Sequence, residues 1–305
     1  MGTGIVNIGS LRLESGILLE NVQLAYERIG RPEAQTVLVC HALTGNQETV
    51  GTDKNPGWWS GLVGRGKSVD INQFSVISFN VLGGCDGSTG PLSINPSTGE
   101  SYGSLFPEVT IRDMVHAERK ALTVLGIDRL RAVIGASLGG MRVLEWGILY
   151  ADDMDVLVPI AVTPTLSAYG VGLHAIGSDT GFSNDDYTGG PPTLVKHFDP
   201  ISYYALLCAM NTHDIGRGRG GIEKAARQIT AKVLAFAFTD DFIYPIEEIR
   251  AFAHLVDNSN YILVNTAYGH DGFLTEFDKW GLIIKQFLEV AVCRQSKSLY
   301  SVSAL

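Results

Sequence analysis

Mostly apolar runs of four to eight residues alternate along the chain with patterns of helical period. Such runs are typical of strands that are buried on both faces of a parallel sheet. They are residues 36–40, 74–81, 130–134, 155–162, 233–238 and 261–264. Helical patterns occupy residues 111–125, 141–150, 200–211, 222–229 and 274–292. Strands alternating with helices predict an α/β protein with a mostly parallel central sheet flanked by helices.

The alternation is interrupted between about residues 163 and 221, where glycine and proline are frequent and one helix is predicted, over residues 200–211. We expect this segment to leave the sheet and cover one edge of it. The prediction is a core domain of residues 1–165 and 222–305, with a short lid insertion of residues 166–221.

Residues 135–139 read Gly-Ala-Ser-Leu-Gly and stand between a strand pattern and a helix pattern. In a nucleophile elbow the serine has a strained backbone, so its neighbours need little or no side chain. An ordinary glycine-rich turn around a structural serine would satisfy the same short motif. The strand–turn–helix context favours Ser137 as a nucleophile.

Candidate partners for Ser137 follow later predicted strands. Asp240 and Asp241 come after residues 233–238, and His270 comes after residues 261–264. The order serine, aspartate, histidine is that of an α/β-hydrolase. His270 would take the proton of Ser137, and Asp241 would orient the imidazole, with Asp240 as the neighbouring alternative.

The loop after residues 36–40 is the expected source of a second oxyanion donor. We assign the two donors to the backbone N–H groups of Leu43 and Leu138. His41 is a candidate base in the same loop, although a histidine at a strand end more often fixes the loop by hydrogen bonds.

Two nucleotide-binding patterns occur in the wrong context. Residues 61–68 fit the phosphate-loop pattern, but no buried strand precedes them. Residues 216–221 fit G-x-G-x-x-G, also without a preceding strand. Both motifs require a strand, a loop and a helix in succession, so we expect neither to bind a nucleotide.

Composition narrows the functional classes. The net charge of −9 disfavours nucleic acid and anionic membranes as partners. We find no apolar run long enough to span a bilayer and no signal-peptide pattern. The four cysteines are widely spaced, which predicts a cytoplasmic protein with reduced thiols and no metal site; they are Cys40, Cys85, Cys208 and Cys293.

Seven stretches resemble the homoserine O-acetyltransferase family, the MetX-type acyltransferases of the α/β-hydrolase fold. They are residues 41–46 (HALTGN), 55–59 (NPGWW), 80–91 (NVLGGCDGSTGP), 107–114 (PEVTIRDM), 134–141 (IGASLGGM), 212–221 (THDIGRGRGG) and 268–274 (YGHDGFL). Together these stretches are far more specific than the serine motif alone.

The resemblance implies roles for six residues. Ser137, Asp241 and His270 correspond to the family triad, and the oxyanion donors correspond to Leu43 and Leu138. Asp271 corresponds to the residue expected to hold the amino group of the substrate.

The resemblance also implies a ping-pong reaction. Ser137 would accept an acetyl group from acetyl-CoA, and the L-homoserine hydroxyl would then remove it, as a step of methionine biosynthesis. No bound cofactor is implied, because acetyl-CoA is a substrate. A homodimer is possible, since the family lid builds a dimer contact.

This chain departs from the family pattern in the lid. The family continues after the position of Gly177 with Gly-Arg-Gln-Ala-Ile, whose arginine is expected to bind the substrate carboxylate. Here Ser178 and Asp179 follow. The family has helices after the position of Pro191 and Pro192, and the sequence here has no matching helical pattern, so the lid is predicted to be shortened.

The shortened lid keeps other functions open. Arg217 or Arg219 is a candidate replacement for the missing cation. A serine esterase or thioesterase with water as acceptor is the alternative function, because an exposed acyl-enzyme hydrolyses. A catalytically idle binding protein is a third, against which the complete triad argues. Acetyl and succinyl donors, and homoserine, serine and other acceptors, all fit the sequence.

Overall fold

The central sheet has eight strands. The computed structural model describes residues 2–182 and 198–298. The sheet order is β1-β2-β6-β3-β7-β8-β9-β10, and the short strands β4 and β5 pair with each other. The bounds are β1 Gly2–Arg12, β2 Leu18–Gly30, β3 Thr36–Cys40, β4 Val63–Gly64, β5 Val69–Asp70, β6 Ser75–Phe79, β7 Leu130–Ala136, β8 Met154–Ile160, β9 Lys232–Phe238 and β10 Ser259–Val264.

Neighbouring strands from β6 to β10 are parallel, whereas β1 pairs antiparallel with β2, and β2 antiparallel with β6. The predicted α/β fold with a mostly parallel sheet is therefore confirmed. All carboxyl ends of the parallel strands meet at one edge, which is where such sheets place their active sites.

Seven helices are described in these ranges. They are α1 Ile111–Val124, α2 Leu138–Leu149, α3 Ala168–Phe182, α4 Pro200–Asn211, α5 Ile222–Ala226, α6 Ile246–Leu255 and α7 Phe277–Ser298, with single 3₁₀ turns at Gly103–Leu105 and Gly269–Leu274. No helix in the described ranges combines the length and apolar character that crossing a bilayer requires.

The sheet separates two apolar cores, which explains its continuous apolar strands. In β9, Ala235 and Ala237 face the core shared with α1, α2 and α6. Phe236 and Phe238 face the core shared with α7 and its Trp280. Because both faces are covered, every position of the strand is selected for burial rather than every second one.

The excursion between β8 and α5 contains two described helices, whereas the sequence predicted one. Helix α4 has the predicted bounds, and the unpredicted α3 packs against it. His174 Nδ1 in α3 lies 2.8 Å from Asn211 Oδ1. The prediction about the segment after Pro191 and Pro192 concerns residues outside the described ranges, and the division into core and lid stays a prediction.

Candidate active site

Ser137 occupies the sharp turn between β7 and α2. Its φ of 55° and ψ of −122° are strained for a residue with a side chain. A Cβ added to Gly139 would lie 2.1 Å from the carbonyl oxygen of Cys40, and one on Gly135 would lie 2.6 Å from Gly139. The glycines are required because β3, β7 and the start of α2 approach one another closely here. The turn has the form of a nucleophile elbow.

Asp241 and His270 form a hydrogen-bonded pair. His270 Nδ1 lies 2.8 Å from Asp241 Oδ2. The other carboxylate oxygen accepts the N–H groups of Ile243 at 2.9 Å and Tyr244 at 3.0 Å. The carboxylate is fully buried, and its orientation is set by three donors. Since an ionised carboxylate only accepts, His270 carries its proton on Nδ1, and Nε2 presents a lone pair.

Asp240, the alternative partner of His270, is exposed and has a positive φ of 59°. A Cβ added to Gly269 would lie 2.6 Å from the Asp240 carbonyl oxygen, so the loops that carry Asp241 and His270 touch through their backbones. The structure therefore brings Asp241, rather than Asp240, together with His270.

Tyr244 links these loops to the elbow and was missed by the sequence analysis. Its side chain is buried, its ring centroid lies 5.2 Å from that of His270, and its hydroxyl lies beside the Ser137 side chain. Ser137 and His270 therefore contact one common residue. Its place three residues after Asp241, in a turn at a strand end, is a sequence signal that could have identified it.

The two predicted oxyanion donors have unused N–H groups. Within the described residues, neither the Leu43 nor the Leu138 N–H donates a hydrogen bond. Leu138 opens α2, where first-turn N–H groups lack partners inside the helix. Leu43 belongs to the loop after β3, against which the elbow packs.

His41 fixes that loop through both ring nitrogens. Its Nδ1 lies 2.7 Å from the Ala42 oxygen, and its Nε2 accepts the Val81 N–H at 3.0 Å. Burial, with a smaller effect of the Arg142 charge, lowers the pKa of His41 to about 3. A neutral imidazole with both nitrogens engaged is a structural group, so His41 is not the base.

A buried ion pair supports the loop and the elbow from beneath. Arg142 of α2 pairs with Glu118 of α1 and also donates to the His41 carbonyl oxygen. Glu118 accepts a second hydrogen bond from Trp146 Nε1 at 2.8 Å. Because removing one partner of such a pair leaves a buried charge uncompensated, the pair holds both helices and the loop in one arrangement.

Arg217 and Arg219, the candidate substitutes for the family's lid arginine, are both held by carboxylates. Arg219 makes two hydrogen bonds to Glu145, at 2.9 and 2.7 Å. Arg217 pairs with Glu14 at 2.8 Å. Arg219 is largely buried on Glu145, whereas the Arg217 side chain is 44% exposed and bonds Glu14 through one nitrogen. Asp271 is exposed beside His270, and no described group pairs with its carboxylate.

The two nucleotide-like patterns lack the required context in the structure as well. Residues 61–68 contain β4 and lead into β5, with no helix after them. Residues 216–221 follow α4 through a loop and precede the five-residue helix α5. Neither pattern stands between a buried strand and a helix.

His213 joins the two ends of the excursion. Its Nε2 lies 3.1 Å from the Thr163 oxygen, and its backbone oxygen accepts the Leu166 N–H at 3.2 Å. His213 is 4% exposed, and burial lowers its pKa to about 4. In the folded protein His213 therefore stays neutral at pH values where the same side chain in the unfolded protein, with a pKa of about 6.5, is protonated.

We expect His213→Gln to weaken the acid sensitivity of folding. A lowered histidine pKa contributes a loss of stability as the pH falls from about 6.5 to about 4, at up to about 1.4 kcal/mol per pH unit. The variant removes that contribution. Urea unfolding at pH 7 and pH 5 measures it, with the exposed His254→Gln as control. Equal pH slopes in wild type and His213→Gln would contradict the assignment.

The sequence was compared with those of known proteins. No family profile matches the chain. The homoserine O-acetyltransferase of Mycolicibacterium smegmatis is 36% identical, over 94% of this chain and 93% of the relative. That alignment spans 355 positions, more than the 305 residues of this chain, so the relative contains segments that this chain lacks.

Solved structures agree in fold. The crystal structure of homoserine O-acetyltransferase from Staphylococcus aureus has a TM-score of 0.82 and 31% identity, covering 94% of both chains. An acetylester hydrolase from Corynebacterium glutamicum has a TM-score of 0.81 at 21% identity, covering 94% of this chain and 96% of its own. The second likeness is one of fold alone.

Proposed function

The chain belongs to the homoserine O-acetyltransferase family, and we propose that it transfers an acetyl group from acetyl-CoA to the hydroxyl of L-homoserine through an acyl-enzyme on Ser137. The observation that carries the proposal is the arrangement at one sheet edge. Ser137 sits at the elbow, and the Asp241–His270 pair, joined at 2.8 Å, contacts the same tyrosine as Ser137 does.

In the first half-reaction Ser137 Oγ attacks the thioester carbonyl while His270 Nε2 takes its proton. Negative charge moves onto the carbonyl oxygen, where the N–H groups of Leu43 and Leu138 stabilise it. The bond to sulfur then breaks, and the thiol of CoA leaves with the proton from His270. Asp241 stabilises the imidazolium that exists between these two events.

The second half-reaction repeats the sequence with an alcohol. His270 removes the proton of the homoserine hydroxyl, which attacks the acetyl-serine carbonyl. Ser137 Oγ leaves and recovers a proton from His270. The exposed carboxylate of Asp271, next to His270, has the charge to hold the ammonium group of the substrate. A role in methionine biosynthesis and a place in the cytoplasm accompany this activity.

A second function, hydrolysis of the acyl-enzyme by water, is favoured by one specific observation. Both Arg217 and Arg219 are engaged by carboxylates, and Ser178 follows Gly177 where the family has its arginine region. An acceptor that bears a carboxylate would therefore compete with Glu14 or Glu145 for these guanidinium groups. Water needs no such group, so a serine esterase or thioesterase would use the same triad.

Release of CoA thiol from acetyl-CoA, followed with and without L-homoserine, separates the two functions. Release that depends on homoserine supports the transferase. Release at the same rate without homoserine supports the hydrolase. An absence of both thiol release and acetylated protein would overturn both.

A further inference from the structure

We propose that Tyr244 is a positioning residue, whose hydroxyl donates to Ser137 Oγ as negative charge develops there and whose ring holds the His270 imidazole for proton transfer. This inference rests on the proposed function, because it assigns a part in the same acyl transfer.

Tyr244 contacts each of the three triad candidates through a different group. Its backbone N–H donates to Asp241 Oδ1 at 3.0 Å. Its ring lies against the His270 ring, with 5.2 Å between centroids and 36° between planes. Its hydroxyl lies beside the Ser137 side chain. One residue thereby ties the loop after β9 to the elbow after β7.

The hydroxyl is an unused donor at the nucleophile. The Tyr244 side chain has no solvent exposure, and the hydroxyl completes no hydrogen bond of normal geometry with any described group. A buried polar group without a partner is destabilising, so a phenol at this place is unfavourable for folding alone. A phenylalanine would fill the same space without that cost, which indicates a role for the hydroxyl outside stability.

The phenol keeps its proton at neutral pH. Burial raises the pKa of Tyr244, the Ser137 side chain opposes this, and the negative charge of Asp241 raises the pKa further. The hydroxyl is therefore available as a donor during turnover at neutral pH.

A donor beside Oγ is needed twice in each turnover. Negative charge develops on Oγ as His270 removes its proton, and again as the acetyl-serine bond breaks. Hydrogen bonds to charged oxygens are stronger than those to neutral ones, so the Tyr244 hydroxyl would bind Oγ more tightly at these moments than in the resting enzyme. The ring, meanwhile, restricts the His270 imidazole to the orientation that keeps Nδ1 on Asp241.

Tyr244→Phe tests the proposal, because it deletes the hydroxyl and keeps the ring. Tyr261→Phe is a matched control, since the Tyr261 hydroxyl in β10 is also buried without a normal hydrogen bond, and its ring stacks with Arg250 rather than with the triad. Rapid mixing with p-nitrophenyl acetate reports the rate of acetylation as a burst of p-nitrophenol. Thermal unfolding reports stability.

We expect Tyr244→Phe to slow the burst and kcat by about 10- to 100-fold, with KM changed less than about twofold. Its Tm should equal or exceed that of wild type, and the acid limb of the pH–rate profile should stay in place because the ring remains against His270. Tyr261→Phe should leave the burst unchanged. A wild-type burst rate in Tyr244→Phe would overturn the inference, as would slowing of equal size in Tyr261→Phe. A wild-type enzyme that releases no p-nitrophenol from the ester would instead count against the proposed function.

Discussion

Replacing Ser137 with alanine should lower turnover by about 10⁴-fold or more and abolish the acyl-enzyme. Alanine removes the nucleophilic oxygen and little else, since the elbow backbone is held by neighbouring glycines and by the packing of β3 against α2. What remains is the binding of substrates beside the N–H groups of Leu43 and Leu138, which supports only slow direct transfer.

Steady-state thiol release measures this loss, and an exposed serine, Ser104, provides the control. Ser104→Ala should behave as wild type. Alanine keeps the Cβ of serine at the positive φ of 55°, so the backbone strain is unchanged and Tm should stay within a few degrees of wild type. Retention of more than about one per cent of the wild-type rate by Ser137→Ala would exclude a mechanism that depends on this oxygen.

The second large effect is expected from Asp241→Asn, at about 10³- to 10⁴-fold in kcat. The amide oxygen of asparagine can still accept the N–H groups of Ile243 and Tyr244. Its NH₂ group then faces His270 Nδ1 and requires that nitrogen to accept. The proton of the neutral imidazole moves to Nε2, which can no longer take the proton of Ser137.

Asp240→Asn is the matched control, because it makes the same chemical change one residue away on an exposed side chain. It should leave kcat within about twofold of wild type. Measuring kcat for both variants, after checking that their Tm values are equal, tests the choice between the two aspartates. Equal losses in the two, or a larger loss in Asp240→Asn, would show that the pairing with His270 is assigned to the wrong residue.

Local chemistry explains why much of this site is predictable from sequence. The buried strands are continuous apolar runs because both faces of the sheet are covered. The elbow is recognisable because a Cβ at Gly135 or Gly139 would lie only 2.1 to 2.6 Å from backbone atoms, so no other residue fits there. Asp241 and His270 lie in the loops that follow β9 and β10 of the sheet. A parallel sheet converts that position in sequence into proximity in space.

Features that depend on tertiary contacts could not be predicted from the sequence. Helix α3 contains glycines that disfavour a helix in isolation, and it is stabilised by packing on α4. Helix α6 follows Pro245 without a side-chain N-cap, so its start was not recognised. The sequence made Arg217 and Arg219 candidates for binding a substrate carboxylate, and it could not show that they form ion pairs with Glu14 and Glu145.

Acetylation of Ser137 is the most direct test of the central claim. Trypsin releases residues 132–142 as a single peptide, in which Ser137 is the only side chain with a hydroxyl or amino group, apart from the guanidinium of Arg142. After brief mixing with acetyl-CoA and acid quenching, mass spectrometry should find this peptide acetylated, and added L-homoserine should remove the label. An unmodified peptide under conditions in which CoA thiol is released would contradict the account.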